Sequence, residues 1–433
     1  MIVEARARIL VLLIVYFLVR IPWLFLVPTN QAPDEDAHLW MIRFLSEHLC
    51  LPDAASVAAG GATAVYGSYP PFGYVFHVLG AMLGHGNLVY IRCGSLLAGS
   101  LMIPCADYIG QTLFKSSRLL ALALPLMLIF HPQLIFVDAY ANCDSTTAAL
   151  GSVILVLLVK TMRHGLSPKR SLLLGLALAW LALSKYSGYS MFPMAACAMI
   201  LACWLHGSRL LNLAVNGLIV ALTTCTLSGW WFLRNAAIFD GDYLGTKTMY
   251  RTWALTYKRE LDFHKSASSF LQNHRWWRTI IYSYWGYFGY LTVEMARPVY
   301  LAYQTIMSVS AVTAIVQWGR AAKSGRLSSA LALAKNKDER LELVVPAIWT
   351  TLALSLLINL GAMVYASMAN YGLAQGRYLF PNEIAIMALI LGGLSLLPAS
   401  LSKKAVLATI IFTAVTSLYA FLQLQAIPGY GIK

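Results

Sequence analysis

The sequence predicts an all-α polytopic membrane protein with about eleven transmembrane helices, and three observations carry that prediction. Of 433 residues, 59% are hydrophobic and only 12% charged, with a mean hydropathy of +0.66, far from the balance of a soluble domain. The apolar residues gather into runs near the ~20 residues needed to cross the hydrocarbon core, separated by short polar breaks. Basic residues concentrate in alternate breaks, which is the asymmetry that sets orientation.

The first run, "ILVLLIVYFLVRIPWLFLVP" at 9–28, is too long for a signal-peptide core and lacks a small-residue cleavage pattern after it, so it reads as a retained helix. Ten further spans follow at 88–108, 119–138, 143–161, 171–185, 189–205, 210–232, 299–318, 342–366, 379–399 and 405–424. With the N-terminus cytoplasmic, seventeen of the 32 Lys and Arg fall inside. They are Arg6, Arg8, Lys115, Arg118, Lys160, Arg163, Lys169, Arg170, Arg209, Arg320, Lys323, Arg326, Lys335, Lys337, Arg340, Lys403 and Lys404. The reverse orientation breaks the positive-inside rule at every one of these loops.

Residues 1–433 then form a single membrane domain with two outer segments, 29–87 and 234–297, and a basic cytoplasmic loop at 319–341. The stretch "PPFGYVFHVLGAMLG" at 70–84 is short for a span and starts on two prolines. Read as an interfacial helix, it keeps Lys115 and Arg118 inside. The net charge of +14 reflects these loops rather than a nucleic-acid footprint, so no nucleic-acid partner is expected. Seven cysteines show no CxxC spacing and read as small hydrophobes. No repeat of fixed period and no broken helix is evident.

The motif "NQAPDEDAHLW" at 30–40 places three acids and a histidine just past the first span. If Pro33 opens a helix, steps of about 100° put Glu35 about 100° and His38 about 40° from Asp34. Ile42 and Leu45 share that arc, whereas Asp36, Arg43 and Glu47 group on the opposite side. Acids in a first helical turn also oppose the helix dipole, worth about 0.3–1 kcal/mol each, and Asp36 alone satisfies that role. Carboxylates on a packed face are costly unless paired, metal-bound or functional, which makes Asp34, Glu35 and His38 the candidates.

Seven pieces recur in one order along the chain: "APDEDAH", "YPPFGYVFHVLGAML", "YIRCGSLLAGSLM", "FVDAYANCDS", "ALSKYSGY", "WWFLRN" and "QGRYLFP". In these, over about residues 5–400, the sequence resembles the bacterial membrane-protein family called domain of unknown function 2142. More distantly it is similar to the C-type glycosyltransferases, such as protein O-mannosyltransferase and aminoarabinose transferase. The resemblance implies a bacterial inner-membrane, inverting glycosyltransferase. Its donor would be a polyprenyl-phosphate-linked sugar, its acceptor a cell-envelope glycan or glycolipid, and its site would face the periplasm.

Such a transfer needs a base for the acceptor hydroxyl and cations for the departing phosphate. Carried over by motif, Asp34 would be the base, Glu35 its support, and His38 would orient a carboxylate or touch the acceptor. Asp144 in "YANCDST" is either a functional acid or the N-cap of its helix. Arg377, with Tyr378 beside it in "QGRYLFP", is the candidate phosphate ligand, since arginine grips phosphate with two prongs; helix-end snorkelling is the alternative. Lys185 and Arg92 carry the same two readings. A divalent cation, Mg or Mn, would use the oxygens of Asp34, Glu35 and Asp144.

Arg234 opens the long outer segment, where basic residues from Lys247 to Arg278 interleave with tryptophans and tyrosines. Aromatic belts explain part of that pattern, and acceptor binding is the functional reading. A transporter or flippase of lipid-linked glycans, or a polymerase or ligase acting on them, would draw on similar residues. The acids lie in an outer loop, away from the midplane expected of a transport site, which favours the transferase.

Overall fold

The computed structural model describes residues 2–29, 31–257, 266–323, 337–369 and 375–430. It is almost entirely helical. Among the described residues, nine helices are long and apolar enough to cross a membrane: Val3–Leu26, Leu88–Leu113, Asp144–His164, Tyr186–Leu205, Leu210–Ile238, Arg297–Arg320, Val344–Met368, Gly376–Ser395 and Ala399–Gln425. The chain is therefore a multi-pass membrane protein.

One further apolar helix pair is bent, as a broken span or a re-entrant loop is. Arg118–Phe130 and Pro132–Asp138 meet at a 53° bend. The cause lies at His131, whose backbone is extended (φ −66°, ψ 112°) because Pro132 follows it; a proline removes an amide and pushes the preceding residue out of the helical region. The sequence was expected to hold no broken helix, and this one corrects that expectation.

The run expected to span at 171–185 forms a helix of only 15 residues, Pro168–Ala182. At 1.5 Å per residue it covers about 22 Å, less than the ~30 Å hydrocarbon core. It nonetheless returns the chain across the bundle. Asp144, at the start of Asp144–His164, meets Lys185, just past the end of Pro168–Ala182, at 2.6 Å. The flanking residues 165–167 and 183–185 supply the missing reach.

Phe72–Leu83 is a 3-10 turn followed by the helix Val75–Leu83. Its twelve residues, about 18 Å, are too few to cross. It lies against Leu88–Ser100, and two glycines permit this: a Cβ on Gly80 would strike the Tyr90 backbone, and one on Gly94 the His77 backbone.

Burial is graded across the bundle. Asp144–His164 and Gly376–Ser395 are the most enclosed spans, 78% and 83% buried, whereas Leu210–Ile238 is 11% buried and turns Leu218, Leu222 and Leu233 outward. The two enclosed helices carry Asp144 and Arg377. They touch where Gly151 faces the Pro381 carbonyl with no side chain between.

The long segment at 234–297 is not a loop throughout. Leu210–Ile238 continues past the expected end, so Arg234 is helical, and Thr246–Tyr257, His274–Trp285 and a short antiparallel pair, Tyr287–Phe288 with Val293–Glu294, follow. Lys258, Arg259 and Lys265 of that segment, and Arg326 and Lys335 of the basic loop, lie outside the described residues.

Candidate functional site

The candidate polar residues sit at helix ends: Asp34 before Glu35–His48, Asp144 at the start of Asp144–His164, Lys185 past Pro168–Ala182 and Arg377 ahead of Glu383–Ser395. The acidic helix begins at Glu35, not at Pro33 as the sequence suggested. Asp34 precedes it in the left-handed region, with φ 62°, and makes no side-chain cap. Aspartate tolerates that conformation better than most residues, and such backbone persists where the surroundings impose it. The face assignment holds despite the shifted start: Glu35, His38, Leu39 and Ile42 are buried, while Arg43 and Glu47 are exposed.

Arg377 sits in the 3-10 turn Gly376–Asn382 ahead of its span. A Cβ on Gly376 would collide with the Tyr284 backbone, and the Gly376 amide donates to Ser283 Oγ at 2.7 Å, so the turn is pinned against His274–Trp285. From there the Arg377 guanidinium donates through Nη2 to Asp34 Oδ2 at 2.8 Å and through Nη1 to the Tyr140 hydroxyl at 3.1 Å. Asp144 Oδ2 lies 3.7 Å from Nη1.

Lys185 Nζ donates to Asp144 Oδ1 at 2.6 Å. The Tyr378 ring serves both cations, with Lys185 Nζ 5.4 Å and the Arg377 guanidinium carbon 5.6 Å from its centroid, inside cation–π range. Asp34, Asp144, Lys185, Arg377 and Tyr378 therefore form one cluster. Burial is uneven within it: the Asp144 and Arg377 side chains are 2% and 4% exposed, but Asp34 is 40% exposed. Asp34 is the door of the cluster.

Two atoms in this cluster lack partners, Asp144 Oδ2 and Arg377 Nε. Nor is Asp144 the cap of its helix. Asn142 does that work, its Oδ1 accepting from the amides of Asp144 at 2.7 Å and Ser145 at 3.1 Å. The Asp144 carboxylate is left free to face the cations.

His38 stacks on Tyr66, with centroids 4.5 Å apart and planes at 10°, and its Nδ1 lies 2.7 Å from the Tyr74 hydroxyl. Burial, then the nearby Lys185 cation, holds the imidazole well below its ordinary range, so it is neutral. Its Nε2 has no partner. Burial also pushes the Tyr66 phenol well above its usual range, which keeps a proton donor at the rim.

Three expected site residues are engaged elsewhere. Glu35 is wholly buried in a two-pronged pair with Arg92, Nε to Oε1 at 2.8 Å and Nη2 to Oε2 at 2.7 Å, and also accepts from the Ala141 amide at 3.0 Å. Arg92 spends its remaining donors on the carbonyls of Leu24, Val27 and Pro28. The pair ties four segments together, and Glu35, expected to support Asp34, holds the turn that bears it through Arg92. Arg234 Nη2 clasps the carbonyls of Pro52 at 2.7 Å and Leu51 at 3.3 Å, which ties the outer segment to the end of Leu210–Ile238.

The same pairings bear on a metal. Glu35 is saturated by Arg92, while Asp34 and Asp144 each face a cation, and no group of three His, Cys, Asp or Glu is placed to hold an ion among the described residues. These side chains fit a cation-paired site better than a divalent ion's oxygen cage. Tyr140, Tyr66 and Tyr74 were not picked out as candidates; tyrosines in a chain with 23 of them carry no local signal.

No family profile matches the chain, and no curated protein is similar to it. Among solved structures, it is similar to ArnT from Cupriavidus metallidurans. The apo state shows 15% identity over 90% of this chain and 77% of that one, with a TM-score of 0.44. The state bound to undecaprenyl phosphate shows 15% identity over 91% and 78%, with a TM-score of 0.45. It is also similar to the Archaeoglobus fulgidus oligosaccharyltransferase complexed with Zn and sulfate, at 14% identity over 98% of this chain and 53% of that one, TM-score 0.48. The chain spans about half the length of that protein. The functional reading rests on this chain's own residues.

Proposed function

We propose that the protein is a C-type, inverting glycosyltransferase of the bacterial inner membrane, related to the domain-of-unknown-function 2142 family. It moves a sugar from a polyprenyl-phosphate donor to a cell-envelope glycan or glycolipid at the periplasmic face. One observation carries this: a half-exposed carboxylate, Asp34, rests 2.8 Å from a guanidinium that is otherwise enclosed and is backed by Lys185. A base at the mouth and two cations behind it are what transfer from a lipid phosphate requires.

With two carboxylates and two cations, the cluster is formally balanced before any ligand arrives. A donor phosphate competes with Asp34 for Arg377, meeting Nη2 and the unpartnered Nε. Asp34, released, faces the acceptor. The acceptor hydroxyl passes its proton to the Asp34 carboxylate as its oxygen bonds to the sugar's anomeric carbon. The bond from that carbon to the phosphate oxygen breaks, its electron pair leaving on polyprenyl phosphate, whose charge Arg377 and Lys185 stabilise. Tyr378 holds the two cations side by side.

The test is to bind undecaprenyl phosphate to the purified full-length chain in nanodiscs and to analyse envelope glycans of the host with and without the chain. Binding that Arg377→Ala weakens, with a glycan that loses one sugar on deletion, supports the reading; no binding and an unchanged glycan profile overturn it. The 53° broken span favours a second reading, a transporter of lipid-linked glycans. In that case deletion would strand the intact lipid-linked glycan on the cytoplasmic leaflet without removing a sugar.

A further inference from the structure

The bent pair Arg118–Phe130 and Pro132–Asp138 reaches the turn that carries Arg377 at two points. Just past the end of the second helix, the Tyr140 hydroxyl accepts from Arg377 Nη1 at 3.1 Å. At the bend itself, His131 meets Glu383, the residue that follows the turn Gly376–Asn382, with Nδ1 2.8 Å from Oε1. Both of those side chains are wholly buried.

His131 Nε2 lies 2.7 Å from the Tyr284 carbonyl. A carbonyl only accepts, so Nε2 carries a hydrogen, and one further proton lies between Nδ1 and Oε1. Wherever that proton sits, the pair has no net charge. Tyr284, Trp285 and Phe380 wall the ring, with centroids 4.9, 5.0 and 5.7 Å away, and Phe380 belongs to the turn.

Both ends of the turn are thereby tied to consecutive residues of His274–Trp285. The Gly376 amide donates to Ser283 Oγ at 2.7 Å, while Glu383 reaches the Tyr284 carbonyl through the imidazole. Arg377 stands between these two anchors. The bend is itself locked. Pro132 has no amide hydrogen for the Leu128 carbonyl one turn back. Arg20 supplies Nη2 to that carbonyl at 2.8 Å and Nη1 to the Ile129 carbonyl at 2.5 Å, and its Nε donates at 2.9 Å to Asp138, at the far end of the second helix. One side chain thus joins the two halves and fixes the angle between them.

We propose that His131 and Glu383 are positioning residues for Arg377: they anchor the turn that carries it, and the bend serves to seat the imidazole there. The proposal rests on the reading of Arg377 as the donor-phosphate ligand and names what aims its fork. A two-pronged grip needs that aim, since a displacement of about 1 Å is enough to spoil a bound geometry.

The experiment measures undecaprenyl phosphate binding to the full-length chain in nanodiscs. Glu383→Met keeps the volume and removes the hydrogen bond, and should weaken binding by about three- to tenfold, as loss of one charge-assisted contact does. Glu383→Gln should recover most of this, because its amide donates to the Nδ1 lone pair of a neutral ring. In an Arg377→Ala background, Glu383→Met should shift the residual affinity by less than about twofold, since a residue that acts through Arg377 then has nothing to aim. Ser283→Ala frees the other end of the turn by removing one oxygen atom. It should weaken binding in the same non-additive way, and it carries the test if Glu383→Met does not fold.

Unchanged binding in Glu383→Met, an equal loss in Glu383→Gln, or a loss that persists in the Arg377→Ala background overturns the proposal. With Glu383→Met unfolded, unchanged binding in Ser283→Ala does the same. If undecaprenyl phosphate binds the wild-type chain and Arg377→Ala weakens it, such a result removes only the positioning role. If the wild-type chain does not bind it, the transferase reading fails as well.

Discussion

Asp34→Asn removes one charge and no volume, and the structure separates what this does to the fold from what it does to the chemistry. For the fold, Asp34 makes one ion pair, to Arg377 at 2.8 Å, with 40% of its side chain open. Arg377 retains Tyr140 and the Asp144 charge, and an asparagine oxygen still accepts from Nη2. The loss should resemble that of a partly exposed pair, about 1 kcal/mol or less, a shift of a few degrees or less in melting temperature. For the chemistry, an amide cannot take the acceptor proton. A positioned base is worth ~10²–10⁴-fold in rate, or ~3–5 kcal/mol of barrier. The assay complements a host lacking the chain with wild-type or variant protein at matched membrane abundance, and follows by mass spectrometry the rate at which the affected glycan is restored. A variant that restores the glycan at more than half the wild-type rate refutes the base assignment. One that melts ten degrees lower makes Asp34 a structural residue.

Three further outcomes follow from the geometry. Arg377→Ala should weaken undecaprenyl phosphate binding by about tenfold or more, and Arg377→Lys should recover only part, because one ammonium cannot reproduce the fork; unchanged affinity removes Arg377 from the site. Glu35→Gln or Arg92→Met should each destabilise the chain by ~3–5 kcal/mol, since one buried charge is stranded, while the Glu35→Leu, Arg92→Met pair should recover much of it. Thermal unfolding in detergent checks this, and single variants that melt like wild type contradict the closed pair. For His38, the folded imidazole is held below its ordinary 6.5 by burial and by Lys185, so below about 6.5 the unfolded chain binds a proton that the folded chain refuses. Its stabilising contribution is present above that pH and lost as pH falls, and His38→Gln should flatten the acid side of the stability curve; an identical slope would contradict it.

The fold was legible because its signal is additive: a helix of about twenty apolar residues can cross a bilayer whatever its neighbours. Where the reading slipped, a local rule had been weighed against unseen partners. Pro33 is a good first helical residue, yet Asp34 and not the helix occupies the next position, because the turn must bring its carboxylate to Arg377, 343 residues away in sequence. Pro132 breaks a span that hydropathy counts as continuous. Glu35 and Arg92 each looked like an expensive intramembrane charge in search of a role. They are each other's role, and no periodicity reveals that two positions 57 residues apart form a fork. Asp144 reads from the sequence as either cap or site, and Asn142, two residues earlier, holds the amides. The pairing of charges, rather than their presence, is what the linear sequence conceals.

That pairing also decides which buried charges can meet a substrate. Arg20 with Asp138, Glu35 with Arg92, and His131 with Glu383 are enclosed on both sides, no partner more than 3% exposed. Each joins distant segments: Arg20 also donates to the carbonyls of Leu128 and Ile129, and His131 bridges Glu383 to the Tyr284 carbonyl across the broken span. A ligand reaching any of them would first have to open the bundle. Among the described residues, only the Arg377 cluster combines an enclosed cation with a partner open to the surface, and there displacing one side chain, Asp34, exposes a guanidinium already oriented by Tyr140 and Asp144. An enclosed pair stripped of its partner costs several kcal/mol, whereas here Arg377 would exchange a carboxylate for a phosphate and keep an anionic partner. Of the motif's acids, Glu35 is closed into structure, while Asp34 is left at the threshold where exchange is possible.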